Sequence, residues 1–398
     1  MLALLLCAAM LMTMTIAMAE GDAVMGSTIQ YDTAKPINDG KDIEIEFWYW
    51  TGAANLFQMV AEQYTAIHPN VRITLVENPY EDYWTKLPLA LQGADGPAIF
   101  NVHNSYHENL IGYLAAYEIP LEELEADYVG ISAHEIDGKV YYTDYGMMTA
   151  TMYYNKAMFA QAGIEVPQKV EDAWTWDEFY DICKQMTKDG VYGTNMLTIR
   201  DEKGELVQAG FSFNGGAQGD VLGMQYQYGQ NLFTEDNRVS FNNDAVCAVV
   251  QRMKDIYEVD GSGDYSFGNN SGDNFGQGMV AMYLGWGFMH NLFKSLWPDT
   301  EFGSFEIPTP TGDEPYAYHR YNGESTFGIN KNAPADQQAV AQDIVRFFLA
   351  NDQLQKEFVL ANSIFPAKKS LANDSDILSV SSIAVLANHI VRYIWPGP

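Results

Sequence analysis

The sequence predicts an α/β protein in which strands and helices alternate around a mostly parallel sheet, and three observations carry that prediction. Strict alternation of apolar and polar residues in Ile43-Glu44-Ile45-Glu46-Phe47, and again at Val71, Ile73 and Leu75, marks two strands. Between them Leu56, Phe57, Val60, Tyr64 and Ile67 recur at helical spacing, so the stretch reads as a β-α-β unit. At 398 residues, 47% of them apolar and 19% charged, the chain can bury a large core and is long enough for about two or three domains.

Each element has a local reason. Leu2 to Ala19 is apolar, uncharged and ends Ala17-Met18-Ala19, the pattern of a secretory signal peptide over 1–19, although the usual positive start is missing. A lipid anchor on Cys7 fits less well, because Leu4-Leu5-Leu6 precedes it. Residues 20–41, rich in Gly, Asp, Thr and Asn without an apolar period, read as a flexible tether. Asn55 with Gln58 offers a capping pair for the first helix, and His68-Pro69-Asn70 stops it. A helix from about Glu81 to Leu91, a Gly/Pro break and a strand from Ala98 to Val102 continue the alternation. Further on, Thr175 and Glu178 form a capping box for a helix burying Phe179, Ile182, Cys183 and Met186. Other helices are expected from Asp244 to Tyr257 and from Asp336 to Leu349, with a long polar surface loop over 261–278. No solenoid or propeller repeat is present, and no Pro-rich linker. Cys183, on an apolar helical face, is expected as a buried free thiol; spacing leaves open whether it pairs with Cys247.

Charge and motifs exclude several function classes. Lys and Arg number 22 against 52 Asp and Glu, a net charge of -30 that repels nucleic acid and anionic lipid surfaces. No apolar run after residue 19 is long enough to span a membrane. There is no Walker loop, no G-x-G-x-x-G after a strand and no G-x-S-x-G elbow, so no catalytic residue and no cofactor is assigned. His107-Glu108 and His134-Glu135 lack the second histidine of a zinc helix. His103 and His107 could share a face without a third ligand, so no metal site is assigned either. Paired carboxylates of a glycan-acting enzyme are not excluded by counting, but nothing singles out one pair.

The positive signal is aromatic residues interleaved with small polar ones just after expected strands. Trp48-Tyr49-Trp50-Thr51-Gly52 follows the first strand, Pro79-Tyr80-Glu81-Asp82-Tyr83-Trp84 the second, and Asn101-Val102-His103-Asn104-Ser105-Tyr106 the third; Tyr283-Leu284-Gly285-Trp286-Gly287 lies further on. Ligands of open α/β sheets sit beyond the carboxyl ends of the strands, so these loops can converge on one site. Flat rings beside Asn, Asp, Glu and His suit the C–H faces and hydroxyl rim of a sugar. For any single aromatic, burial in the core is the plainer account.

Met152-Tyr153-Tyr154-Asn155-Lys156-Ala157-Met158-Phe159, then Ala162-Gly163-Ile164, Pro167 and Thr175-Trp176-Asp177-Glu178-Phe179, form a run that resembles the bacterial extracellular solute-binding proteins of carbohydrate ABC importers, the maltose-binding-protein-like group. Gly278-Met279-Val280-Ala281-Met282, Gly285-Trp286, Pro308, Gly323 to Asn330, Phe347-Phe348-Leu349 and Phe365-Pro366-Ala367 follow in the family order, so the likeness runs from about Ile43 to Ser370. Two departures are Asn101 and His103, where an acidic residue is common, and the early end at Trp395-Pro396-Gly397-Pro398. The resemblance implies a two-lobed periplasmic-binding-protein fold with hinge crossings and an interlobe ligand cleft. It divides the chain into an N-terminal lobe, 42–145 plus 325–350, and a C-terminal lobe, 148–322 plus 352–398. Crossings then fall near Asp144 to Met148, Asn322 to Ser325 and Asn351, with Gly146 and Gly323 suited to backbone rotation. The expected ligand-binding residues are Trp50, Thr51, Tyr80, Glu81, His103, Asn104, Tyr145, Asn214, Trp286, Asn322 and Glu324. Trp286, flanked by glycines, is expected to stack on the ligand from the second lobe. The expected function is capture of a carbohydrate, an oligosaccharide in particular, outside the cytoplasm by a monomer that hands it to membrane permease subunits. The alternatives are a secreted glycan-acting enzyme and a binder of a non-sugar solute, cationic solutes included.

Overall fold

The computed structural model describes residues 24–389 except 52–53, 149, 170–171, 188–191, 195–197, 201–205, 210–226, 229, 231–232, 237, 241, 260–261, 263–270 and 311–321. Its first elements are two short antiparallel strands, β1 (Val24–Gly26) and β2 (Gln30–Asp32). The tether expected over 20–41 is therefore folded in its described part. Ile29 and Tyr31 are buried, the Ile29 N–H donates to Asp127 Oδ2 at 2.8 Å, and the Tyr31 hydroxyl donates to Asp343 at 2.8 Å. Two apolar anchors at alternate positions outweigh a polar composition, because each buries a large side chain on the main core.

β3 (Ile43–Trp50), α1 (Ala54–Ile67), β4 (Val71–Asn78), α2 (Tyr80–Ala90) and β5 (Ile99–Asn101) realise the β-α-β-α-β run, with β4 and β5 parallel to β3. Ile45 and Phe47 on β3 are buried with Phe57, Val60 and Tyr64 of α1, as the two periodicities require. A short strand, β6 (Leu114–Ala115), ends this sheet.

The chain leaves through β7 (Asp144–Met148) for a second sheet. There it forms β8 (Ala150–Asn155), α3 (Trp176–Met186), β9 (Tyr192–Thr194), α4 (Asp244–Glu258), β10 (Val280–Trp286), α5 (Met289–Leu296) and β11 (Phe302–Phe305). The capping box of α3 is present: Thr175 Oγ1 accepts from the Glu178 N–H and Glu178 Oε2 accepts from the Thr175 N–H. Strand order is β9-β10-β8-β11, and β8 is antiparallel to both of its neighbours. The expectation of a mostly parallel sheet thus holds for β3, β4 and β5 and fails here, because helix–strand alternation does not fix strand direction across long connections. The polar stretch 261–278 is more than a surface loop: residues 271–276 are helical and Phe275 is fully buried beside Phe293. Cys183 is a buried free thiol and Cys247 an exposed one.

β12 (Asn322–Ser325) returns alongside β7, and β13 (Phe327–Asn330) enters the first sheet between β5 and β6. The two strands are divided at Thr326, which bonds both its N–H and its hydroxyl to the Thr143 carbonyl at 2.8 Å. Then come α6 (Ala335–Ala350), α7 (Asp352–Asn362), β14 (Phe365–Pro366) and α8 (Ser381–His389). β14 pairs with β7, so the strands that lead from one sheet to the other form a three-stranded sheet β12-β7-β14.

Asn351 is not a crossing. Its side chain caps α7 by accepting from the Leu354 N–H at 3.0 Å and donates to Gln63 of α1 at 3.3 Å. Both α6 and α7 lie in the core of the first sheet. Lys368, fully buried, bonds the Leu349 carbonyl and Asp352 across that helix junction. The end of α7 accepts from Asn291 of α5 through the Leu360 and Ala361 carbonyls at 2.8 Å, and α8 packs on β11.

Candidate functional site

Trp50 ends β3, Tyr80 opens α2 directly after β4, and His103 follows β5, so three adjacent parallel strands deliver them to one edge. The Trp50 ring lies 5.9 Å from Tyr80, 6.0 Å from His103 and 5.2 Å from Trp84. Trp84 stacks on Tyr106 with centroids 3.7 Å apart and planes 6° off parallel. The result is one aromatic cluster in which Tyr80 is exposed, Trp84, His103 and Tyr106 are half-buried, and Trp50, 8% exposed, is buried with Tyr83.

Trp84 and Tyr106 were absent from the residues expected at the site. Their signal was available: Trp84 is four residues after Tyr80 on a helix, and Tyr106 closes the one-turn helix after His103. Trp84 Nε1 is buried and has no hydrogen-bond partner among the described residues. Burial, then the charge of Glu81, raise the Tyr106 pKa, so its phenol stays protonated, and Glu81 adjoins the same surface. The other acid of that first turn, Asp82, is paired with Lys86 at 3.0 Å.

Thr51, Asn104, Tyr145 and Trp286 are engaged with other groups of the protein. Thr51 turns its hydroxyl back to the Asn78 carbonyl at 3.3 Å. Asn104, 5% exposed, donates its amide to Asp144 Oδ1 at 3.2 Å. Tyr145 is buried with its ring 4.5 Å from Phe358 of α7, because β7 packs against that helix and not into open space. Trp286 is 9% exposed and belongs to the same buried cluster as Tyr145 and Met147. A Cβ on Gly285 would fall 1.9 Å from Tyr283, so that glycine makes room for a neighbour. Asn322 and Glu324 stand on β12 opposite Met148 and Gly146, beside the strand that starts at Asp144. Asn214 lies outside the described residues. No cluster of His, Cys, Asp and Glu that could hold a metal occurs among the described residues.

A sheet whose strand ends carry an aromatic surface, joined by crossing strands to a second sheet, defines a two-lobed α/β binding protein. Residues 50–355 match the family described as bacterial extracellular solute-binding protein, and the chain belongs to that family. Over 228 residues it is 24% identical to an arabinooligosaccharide-binding protein of Bacillus subtilis (strain 168), covering 54% of this chain and 47% of that one. The chain spans about half the length of the curated relatives it matches. Among solved structures it is similar to an ABC substrate-binding protein of Listeria monocytogenes in complex with cycloalternan (TM-score 0.68, 16% identity, 90% of this chain and 89% of that one). It is also similar to maltose-bound MalE3 of T. maritima (TM-score 0.69, 15% identity, 87% and 88%). No helix among the described residues is long and apolar enough to cross a membrane.

Proposed function

We propose that this chain is the extracellular receptor of an ABC importer and captures a neutral carbohydrate, an oligosaccharide in particular, at the Trp50–Tyr80–Trp84–His103–Tyr106 surface. The carrying observation is that surface, placed at the carboxyl ends of β3, β4 and β5, where α/β sheets bind ligands. Sugars bury C–H faces on such rings, and the Trp84 N–H and Glu81 carboxylate supply hydroxyl partners. Oligosaccharide ligands in the relatives' names support the class. On this reading the apolar segment 2–19 exports the chain, the receptor works as a monomer, and membrane permease subunits receive its cargo. The two lobes close over the ligand by bending at the crossing strands, and no bond of the sugar is broken.

Titration calorimetry against arabino- and malto-oligosaccharides, lactose and glycerophosphocholine tests this. A saturable heat with one oligosaccharide, recovered intact afterwards, is expected. Trp84→Phe leaves an aromatic ring beside Tyr106 but removes the N–H together with part of the indole, so affinity should fall about tenfold or more, about 1.4 kcal/mol, while the fold is retained. Binding of glycerophosphocholine alone would move the reading to a non-sugar solute, and consumption of the sugar would make the chain an enzyme.

A further inference from the structure

We infer that Asp144 is a positioning residue that couples the ligand-facing loop to the crossing strand, so that contact with His103 and Tyr106 is transmitted to β7. The inference rests on the proposed site.

Asp144 is the first residue of β7 and is 3% exposed. A carboxylate so deprived of water persists only if protein groups replace its hydration. Two separate segments do so: Asn104 Nδ2 donates to Oδ1 at 3.2 Å, and His134 Nε2 meets Oδ2 at 3.0 Å. His134 is itself fixed, 5% exposed with its ring 4.6 Å from Tyr142, whose hydroxyl bonds His107 Nδ1 at 2.7 Å. One oxygen is thus held by Asn104 within the turn, and the other by His134, whose neighbour Tyr142 bonds His107 directly after the turn.

That loop is a single tight turn. The Tyr106 N–H donates to the His103 carbonyl at 2.9 Å, so His103, Asn104 and Tyr106 move together. Any ligand that shifts the rings of His103 or Tyr106 shifts the Asn104 amide, and with it a carboxylate on the crossing strand. Merely fastening β7 to the first lobe does not need Asp144. The preceding residue, Thr143, already bonds Thr326 through its carbonyl, and the two hydroxyls lie 3.1 Å apart. The turn also lies against β12, so both crossing strands adjoin it.

The test compares Asn104→Ala, Asp144→Ala and the double variant, with Asp144→Asn as the variant that keeps one acceptor oxygen. Each is titrated with the best sugar found for the wild type, and backbone hydrogen exchange of residues 103–106 and 144–148 is followed without ligand. Each alanine variant should weaken sugar binding about tenfold, and the double variant should be no weaker than either single one, as expected for one shared link. Asp144→Asn should recover part of the affinity. Without ligand, Asn104→Ala should speed exchange in β7, and Asp144→Ala should speed it in the turn. Independent losses that multiply to about a hundredfold, or lower stability with unchanged affinity, would overturn the coupling. If the wild type binds no sugar, the exchange results still decide: mutual loosening upholds the link while the sugar reading fails, and its absence sinks both.

Discussion

Gly146 gives the sharpest test of how the crossing strands work. The family pattern suggests a glycine kept for backbone rotation, but its backbone is not in the left-handed region, and the space around it explains it better. A Cβ there would lie 2.6 Å from Ile364 Cδ1, 2.9 Å from the Phe365 carbonyl oxygen and 3.1 Å from Ile364 Cγ1. Ile364 is 2% exposed and cannot swing away, and the Phe365 oxygen belongs to β14, paired with β7. Gly146→Ala must therefore push β14 from β7 by several tenths of an ångström. Overpacking of this kind costs about 1–3 kcal/mol. Up to about 1 kcal/mol is offset by the smaller conformational freedom of the unfolded chain. A net loss of about 1–2 kcal/mol should appear as a lower urea midpoint at unchanged slope, followed by tryptophan fluorescence. An equal or higher midpoint, combined with a smaller ligand-induced decrease in radius of gyration, would refute close approach and restore the rotational role.

Two further outcomes follow from buried groups. Trp286→Ala should lower stability by about 3 kcal/mol or more, since the ring is 9% exposed inside the main core; intact stability with lost sugar affinity would instead mark a ligand stack. His290 is 5% exposed, neither ring nitrogen has a partner among the described residues, and burial, then the Lys294 charge, push its pKa from 6.5 down to about 4. Because the folded pKa lies below the unfolded one, the unfolded chain takes up a proton that the fold refuses as pH drops from 6.5 toward about 4, and stability is lost there, by at most about 3 kcal/mol. His290→Leu should flatten that part of the pH–stability curve, and equal acid sensitivity in both proteins would rule the assignment out.

The legible parts of the sequence were those with a strong local signal. Alternation in 43–47, helical spacing in 56–67 and the Thr175–Glu178 box each report a structure formed within a few residues, and each is where it was expected. Trp50, Tyr80 and His103 could be grouped because all three follow strands of one parallel run, whose ends necessarily share an edge. What remained hidden depends on distant partners. Asn104 reads as a free loop amide until Asp144, forty residues on, is placed beside it. Asn351 reads as a break between lobes until Lys368 is found clamping the two helices it separates. Trp286 between glycines reads as a ring with room to face a cleft, and the sequence does not show that Tyr283 occupies the space that Gly285 leaves.

These corrections also relocate the bend that the proposed closure requires. At one end β7 and β12 are tied together by Thr143 and Thr326, and at Gly146 the strand is pressed against β14. Rotation spread over these held points would break backbone pairing in a three-stranded sheet, which is costly. Among the described residues the ladder has one irregularity: Glu324 pairs with Gly146 and Ser325 with Asp144, so Tyr145 is the extra residue of a bulge opposite Glu324 and Ser325. A bulge lets a strand bend and twist without losing the pairs on either side. On the proposed closure the bend is expected at the bulge, next to Asp144 and its link to the ligand-facing turn.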